Sequence, residues 1–183
     1  MADRLAHHFA TMAYNNAWSN LRLLKACGAL SQAEFAAPRV SFFPSIKATL
    51  NHIVTVDWYY IDALVEEGRG YDVFIADEPF ATLMELERAQ RASDAKLIAF
   101  CEGLTPADLE RKVILDRREA GRFPETIPAI LGHLYIHQIH HRGQVHAMLS
   151  GTSVAPPQLD EFFLDQDLHL RRDELRALAL PET

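Results

Sequence analysis

The sequence predicts an all-α fold, a four-helix bundle followed by a short C-terminal helix. The main evidence is four long segments in which apolar residues recur with a helical period of about 3.6 residues. Residues that start and stop helices bracket these segments, and the few Gly and Pro residues mostly lie between them. Four long helices with polar outer faces bury their apolar faces by packing into a bundle.

The first predicted helix covers residues 3–29, where Phe9, Ala13 and Leu24 belong to the periodic apolar set. Ser31 followed by Glu34 has the pattern of a capping box, which predicts a short helical turn after the first helix. A second long helix is predicted over about 45–67, with Pro44 in its first turn, because Gly68 and Gly70 follow it.

A third helix is predicted over about 81–103, and a fourth begins after Pro124, capped by Thr126, and continues to about Ser150. Residues 112–123 between them are read either as a short strand pair or as an extended crossover. A short helix at 168–179 ends the chain. Without a linker or repeat, residues 1–183 are predicted to form a single domain.

Composition narrows the class of protein. A net charge of −7 argues against nucleic acid as a partner. No segment has the uninterrupted apolar length that a membrane span or a signal peptide needs, so a soluble protein without a membrane partner is expected. Cys27 and Cys101 stand far apart outside any motif, which indicates buried reduced thiols. We therefore expect a cytoplasmic location.

The most informative segment is residues 137–146, HQIHHRGQVH. His137 and His141 are four residues apart, so on a helix their side chains lie on the same face and can chelate one metal ion. They fall within an apolar inward stripe, and burying two imidazoles without partners would cost about 2 kcal/mol each. A metal would satisfy both. From spacing alone, His52 on the second helix is either a third ligand or an ordinary core residue.

Other histidines and other metal motifs fit less well. His133 is one turn before His137 and either contacts a ligand or lies near the bundle end, while His140 and His146 are expected at the surface or at an interface. Residues 137–141 resemble a zincin motif, but its general base is replaced by Gln138, an amide that cannot accept a proton. No Glu stands three residues before any His, as di-metal bundles require. A mononuclear site remains.

These residues resemble the DinB family of four-helix-bundle proteins over nearly the whole chain. The resemblance rests on segments 14–20 (YNNAWSN), 50–54 (LNHIV), 137–144 (HQIHHRGQ) and 157–160 (PQLD). It implies up-down-down-up connectivity, frequent homodimers, and His52, His137 and His141 as the metal ligands. Relatives in the family include thiol-dependent transferases and isomerases, so the resemblance implies the site more closely than the reaction.

Three neutral imidazoles leave an open coordination position, as catalytic sites do. A divalent transition metal is expected, zinc or nickel first, with iron, manganese or copper as alternatives. We favour a thiol-dependent S-transferase that acts on a small electrophile with a low-molecular-weight thiol, because no carboxylate accompanies the histidines; Asp57 is about 140° around the helix from His52. A hydrolase and a non-enzymatic metal-binding or stress-response protein are the alternatives. Arg142 and Gln144 are expected to contact a ligand or substrate, with a surface or interface ion pair as the other possibility for Arg142.

Overall fold

A computed structural model describes residues 2–182, with side chains from Arg4 onward; Met1 and Thr183 of the predicted domain lie outside the described residues. It contains six α-helices and one β-hairpin. The helices are α1 (Ala2–Cys27), α2 (Gln32–Ala36), α3 (Ile46–Val65), α4 (Leu83–Glu102), α5 (Ile127–Leu149) and α6 (Leu168–Ala177). The all-α prediction is confirmed, and the four long helices lie within two residues of the expected bounds.

Local side-chain caps set where the helices begin. Ser31 and Glu34 form the predicted capping box at α2, and Thr126 accepts a hydrogen bond from the backbone of Ala129 at the start of α5. Each such cap typically stabilises a helix by about 1 kcal/mol. Pro44 was expected in the first turn of the second long helix, and this expectation was wrong. Ser45 caps α3, so Pro44 precedes the helix.

Residues 112–126 form the strand pair, which decides between the two readings of this segment. Strand β1 (Lys112–Asp116) pairs antiparallel with β2 (Arg122–Thr126), and Asp116 lies opposite Arg122 next to the turn. Gly121 has φ 107°, a value that side chains disfavour, and its carbonyl accepts a hydrogen bond from the backbone N–H of Arg117. The hairpin holds this turn beside the C-terminal half of α3.

Contacts between the helices establish their directions. Along α1 and α4, Tyr14 reaches Glu102 while Asn20 reaches Asp94, so these two helices are antiparallel. Along α1 and α5, Phe9 contacts Tyr135 and Asn20 contacts Arg142, so α1 and α5 are parallel.

Contacts with α5 and α4 likewise fix the direction of α3. His52 lies beside His137 and Tyr60 beside His133, so α3 runs antiparallel to α5. Helices α3 and α4 are parallel, since Trp58 contacts Phe80 just before α4 and Glu67 pairs with Lys96 farther along it. Helices α1, α3, α4 and α5 therefore run up, down, down and up, as the family resemblance implied.

Two apolar clusters fill the bundle and a polar layer separates them. One cluster includes Phe9, Leu97 and Leu131, and the other includes Leu23 and Val145. Between them, each of the four long helices contributes buried polar side chains, namely Asn16, Asn20, Asp57, Gln90, Asp94, Gln138 and Arg142. This polar layer lies at the level of the histidines on α3 and α5.

The C-terminal segment packs against α1. Trp18 is completely buried, its indole N–H donates to Glu174 of α6, and its ring lies 5.6 Å from that of Phe162. Helix α6 and the loop that precedes it therefore cover Trp18 and Phe162. Among the described residues, no helix is long and apolar enough to cross a membrane.

Candidate metal centre

Helices α3 and α5 bring three imidazole rings to one point. Nε2 of His52 lies 3.0 Å from Nε2 of His137, and the ring of His141 lies 4.4 Å from that of His137 and 4.7 Å from that of His52. One nitrogen from each of the three rings falls within 4.8 Å of the other two. The 3.0 Å separation suits two nitrogens that share one ion at about 2.0–2.1 Å each, and the nitrogen of His141 is close enough to join them after a small shift of its ring.

The local sequence explains this convergence. His137 and His141 are one helical turn apart on α5, in a stripe whose other members, such as Leu134 and Val145, are buried in the bundle. Because α3 runs antiparallel along the same face, His52 meets the pair from the opposite helix. The structure therefore brings together all three predicted residues, including the one that spacing alone left undecided.

Hydrogen bonds indicate which nitrogen of His141 is available. Nδ1 of His141 lies 2.8 Å from Oε1 of Gln144, while the amide nitrogen of Gln144 lies 3.0 Å from Nε2 of His140. Since the Gln144 oxygen can only accept, Nδ1 of His141 donates and its Nε2 keeps a free lone pair. Gln144 thus orients one of the three rings, which is the first of the two roles expected for it.

Packing orients the other two rings. Phe43, in the loop before α3, lies with its ring 4.3 Å from the ring of His52 and 5.6 Å from that of His141. Nδ1 of His137 is buried and has no hydrogen-bond partner among the described residues. His137 is therefore held by its neighbours and its helix instead of by a hydrogen-bonded acceptor.

The electrostatic surroundings keep the imidazoles neutral. Burial, with a smaller contribution from the neighbouring rings, lowers the pKa of His52 to about 4 and that of His137 to about 3. Burial also lowers the pKa of His141, although its contact with Gln144 opposes the shift. Neutral imidazoles present lone pairs at neutral pH, and this donor set suits zinc, nickel, copper and iron.

The rings form one wall of a cavity of about 370 Å³ that is open to solvent. This volume is at the small end of the range for small-molecule sites. Most of the lining is aromatic, no Asp or Glu contributes to it, and the residues are Phe42, His52, Val56, Tyr59, Tyr60, Phe74, Arg117, His133, His137, His140 and His141. A small molecule could therefore reach the histidines without meeting a carboxylate.

The remaining histidines do not join the three. His133 and His140 are exposed at the cavity wall, so His140 is at the surface as expected, and His133 contacts Tyr60 with rings 5.0 Å apart. His146 lies on another side of α5, with Nε2 2.9 Å from the carbonyl oxygen of Pro157. Among the described residues, only His52, His137 and His141 form a group that could hold a metal.

Asp57 points away from the cavity into the polar layer. Its carboxylate accepts hydrogen bonds from the side-chain amides of Gln90 and Gln138, and burial raises its pKa to about 7. Asp57 therefore lies away from the histidine cavity, as its angular position on the helix predicted.

Arg142 fits neither of the roles that the sequence suggested. It is buried, and its guanidinium donates to the side-chain oxygens of Asn16, Asn20 and Gln138. It therefore neither lines the histidine cavity nor forms a surface ion pair. The reason is the helical rotation of about 100° per residue, which turns Arg142 from the face of His141 toward α1.

The two cysteines are structural. Cys27 and Cys101 are both buried and free, and burial raises the pKa of each thiol to about 12. Such thiols are protonated and inert at neutral pH. Any thiol chemistry at the histidines needs a sulfur from outside the chain.

Sequence reasoning missed several side chains of the site, among them Phe43, Tyr60 and Arg117. Tyr60 had a weak signal, because it lies eight residues after His52, about 80° around the helix and within the same broad inward stripe. Phe43 and Arg117 come from a loop and from the hairpin turn, whose positions no periodic pattern gives.

Comparison with known proteins identifies the family. The sequence profile of the DinB family matches residues 1–172. A crystal structure of a DinB-like protein from Bacillus cereus ATCC 10987 is similar in fold, with a TM-score of 0.59 and 17% identity over 77% of this chain and 90% of that one. No curated protein matches the sequence significantly. With a match that spans most of its length, the chain belongs to the DinB family.

Proposed function

We propose that His52, His137 and His141 bind one divalent transition metal and that the protein is a metal-dependent enzyme, a thiol-dependent S-transferase that acts on a small electrophile. The observation that carries this proposal is the composition of the cavity, which three neutral imidazoles line and to which no carboxylate contributes. Zinc or nickel is the first choice, and iron, manganese or copper are the alternatives.

A divalent ion held by the three histidines would favour loss of the proton from a thiol that binds there. The residues of the cavity hold the histidine rings and the reactants in position. Phe43 packs against the rings of His52 and His141, and the aromatic wall offers an apolar surface to the thiol and the electrophile. In the transfer, a sulfur–carbon bond forms, the leaving group departs with the bonding electrons, and the thiol proton passes to solvent.

The same cavity argues for a thiol over water as the nucleophile. A hydrolase usually needs a base that removes a proton from water as it attacks. Asp57, the acid nearest to His52 along α3, is buried in the polar layer. Its carboxylate accepts hydrogen bonds from two side-chain amides. A thiolate needs no such base, so the transferase fits the residues better than the hydrolase.

A non-enzymatic metal-binding or stress-response protein is the second candidate. Such a site is typically closed by a fourth protein ligand. Among the described residues, no Cys, Asp or Glu joins the three histidines, and the cavity beside them could admit a substrate. Both features favour an enzyme.

Protein purified without a histidine tag and loaded with zinc or nickel should consume an alkylating electrophile only when a low-molecular-weight thiol is present. Chelation of the metal should stop this reaction, because the thiol then keeps its proton. The measurement is the rate of electrophile loss across a set of thiols, with metal-free protein as the control. Ester hydrolysis without thiol would point to the hydrolase, and inactivity with every thiol would contradict the transferase.

We also propose that the chain forms a homodimer in the cytoplasm, with small molecules as its other partners. The family resemblance motivates the dimer, and exposed apolar side chains such as Ile136, Ile139 and Phe163 offer a surface for it. Two free buried thiols suit a reducing compartment. Light scattering should give twice the chain mass of 20.7 kDa at micromolar concentration, and a monomer would contradict the dimer.

A further inference from the structure

The histidine cavity contains one permanently charged side chain, Arg117. It lies in the turn of the β-hairpin, so its guanidinium reaches the cavity from outside the helical bundle. The other lining residues are apolar, aromatic or histidine, in a protein whose net charge is −7. The cavity therefore carries a positive charge in a molecule that is acidic overall.

The fold holds Arg117 in this position. Its backbone N–H donates to the carbonyl of Gly121, which closes the turn. Its side chain donates a 2.9 Å hydrogen bond to the hydroxyl of Tyr60, and its guanidinium carbon lies 5.4 Å from the ring centre of Tyr59 and 5.8 Å from that of Tyr60. Two buried tyrosines of α3 thus form a platform for one arginine.

Arg117 differs from its neighbours in lacking an anionic partner. In the same hairpin, Arg118 pairs with Asp72 and Arg122 pairs with Asp116. No carboxylate of the described residues forms an ion pair with Arg117, and its hydrogen bond to Tyr60 uses one of its five N–H groups. The remaining donors are in the geometry that recognises a carboxylate.

Arg117 and the three histidines line the same cavity, and Tyr60 places Arg117 near the level of His133. Tyr60 contacts His133 on α5, and His133 precedes the midpoint of His137 and His141 by six residues. Six residues of helix correspond to about 9 Å. One small molecule can therefore contact Arg117 and the histidines at the same time.

We propose that Arg117, supported by Tyr60, binds the carboxylate of a small molecule whose other end reaches the three histidines. This inference rests on the proposed function and narrows its substrate class to carboxylate-bearing molecules with an apolar or aromatic body. The carboxylate belongs either to the thiol or to the electrophile, and the two parts of the following experiment separate these sources.

The first part needs no metal. Full-length protein is titrated with benzoate and, separately, with benzyl alcohol, while NMR follows the side-chain N–H signal of Arg117. Benzoate should shift this signal and benzyl alcohol should not, and Arg117→Gln should bind benzoate about tenfold more weakly than the wild type. Arg122→Gln removes the same charge from the same hairpin outside the cavity, and it should bind benzoate as the wild type does.

The second part uses cobalt-loaded protein, in which sulfur binding changes the visible absorption spectrum. If the thiol carries the carboxylate, mercaptohexanoate should bind more tightly than mercaptohexanol, and Arg117→Gln should remove that preference. Equal binding of the two thiols, with benzoate still recognised by Arg117, assigns the carboxylate to the electrophile.

The experiment distinguishes failure of the proposed thiol chemistry from failure of the inference about Arg117. If neither thiol alters the cobalt spectrum, the proposed thiol chemistry is wrong, and the benzoate titration still tests Arg117. The inference itself is overturned if Arg117→Gln binds benzoate as tightly as the wild type does, or if Arg122→Gln weakens binding to the same degree.

Discussion

Replacing His137 with Ala should abolish metal binding, and with it any metal-dependent activity, while the bundle stays folded. The two-histidine chelate on α5 becomes a single ligand, so metal affinity should fall by at least ~100-fold, the upper cost of losing even a side chain that merely supports a ligand. The fold should persist, because apolar helix faces supply its stability. Metal content after dialysis and the melting temperature measure both effects.

His140→Ala is the matched control. His140 is adjacent to the same site, yet it is exposed and lies outside the group of three. This variant should keep the metal, although the contact of His140 with Gln144 is lost. Loss of metal from the His140 variant, with retention in the His137 variant, would mean that the wrong face of α5 has been assigned.

Replacing Arg142 with Met should destabilise the fold far more than replacing a surface arginine would. Arg142 is the positive charge in a buried layer that also holds Asp57 and Asp94. Methionine roughly preserves the side-chain length but leaves the oxygens of Asn16 and Asn20 without their donor. Removing one partner from a buried charged network costs about 3–5 kcal/mol of unfolding free energy, which denaturant titration would measure.

The pH dependence of this loss has a definite sign. Burial already raises the pKa of Asp57 to about 7 and that of Asp94 to about 6, and Arg142 opposes both shifts. Without Arg142 both pKa values rise further above the unfolded value of 3.8. A carboxyl with a raised folded pKa loses its stabilising contribution as pH increases through that pKa. The deficit of Arg142→Met relative to the wild type should therefore grow from pH 4 to pH 8.

Arg91→Ala is the control for this prediction. Arg91 also pairs with an acid, Glu87, but on the exposed surface of α4. Its removal should change the unfolding free energy by less than about 1 kcal/mol, with little pH dependence. A similarly small effect of Arg142→Met would show that the polar layer is not a charged network in the folded protein.

Much of the fold was predictable because its determinants are local. Ser31 with Glu34, Thr126, and the glycines after α3 are short-range signals that act within one helical turn. The sequence did not distinguish a β-hairpin from an extended crossover at this segment. Its strands are only five residues each, and β2 has little of the alternating burial that a core-facing strand shows. The polar layer was not predicted, since its members come from four helices and only their packing brings them together.

The candidate site likewise contains residues that the local sequence predicts and residues that only the packing of separate elements brings together. His137 and His141 were predictable from one helix because their spacing alone puts them on one face. His52 required the family resemblance, since a single histidine on a second helix has no spacing to a partner on α5. Arg117 could not be predicted as a site residue, because the position of a hairpin turn depends on how β1 and β2 pack against α3.

The most direct test of the metal site is an anomalous-difference map from crystals of zinc-loaded, tag-free protein. We expect one peak between α3 and α5, with Nε2 of His52, His137 and His141 each about 2.0–2.2 Å from it. A fully loaded crystal with its peak elsewhere, or with His52 outside the coordination sphere, would contradict the three-histidine site.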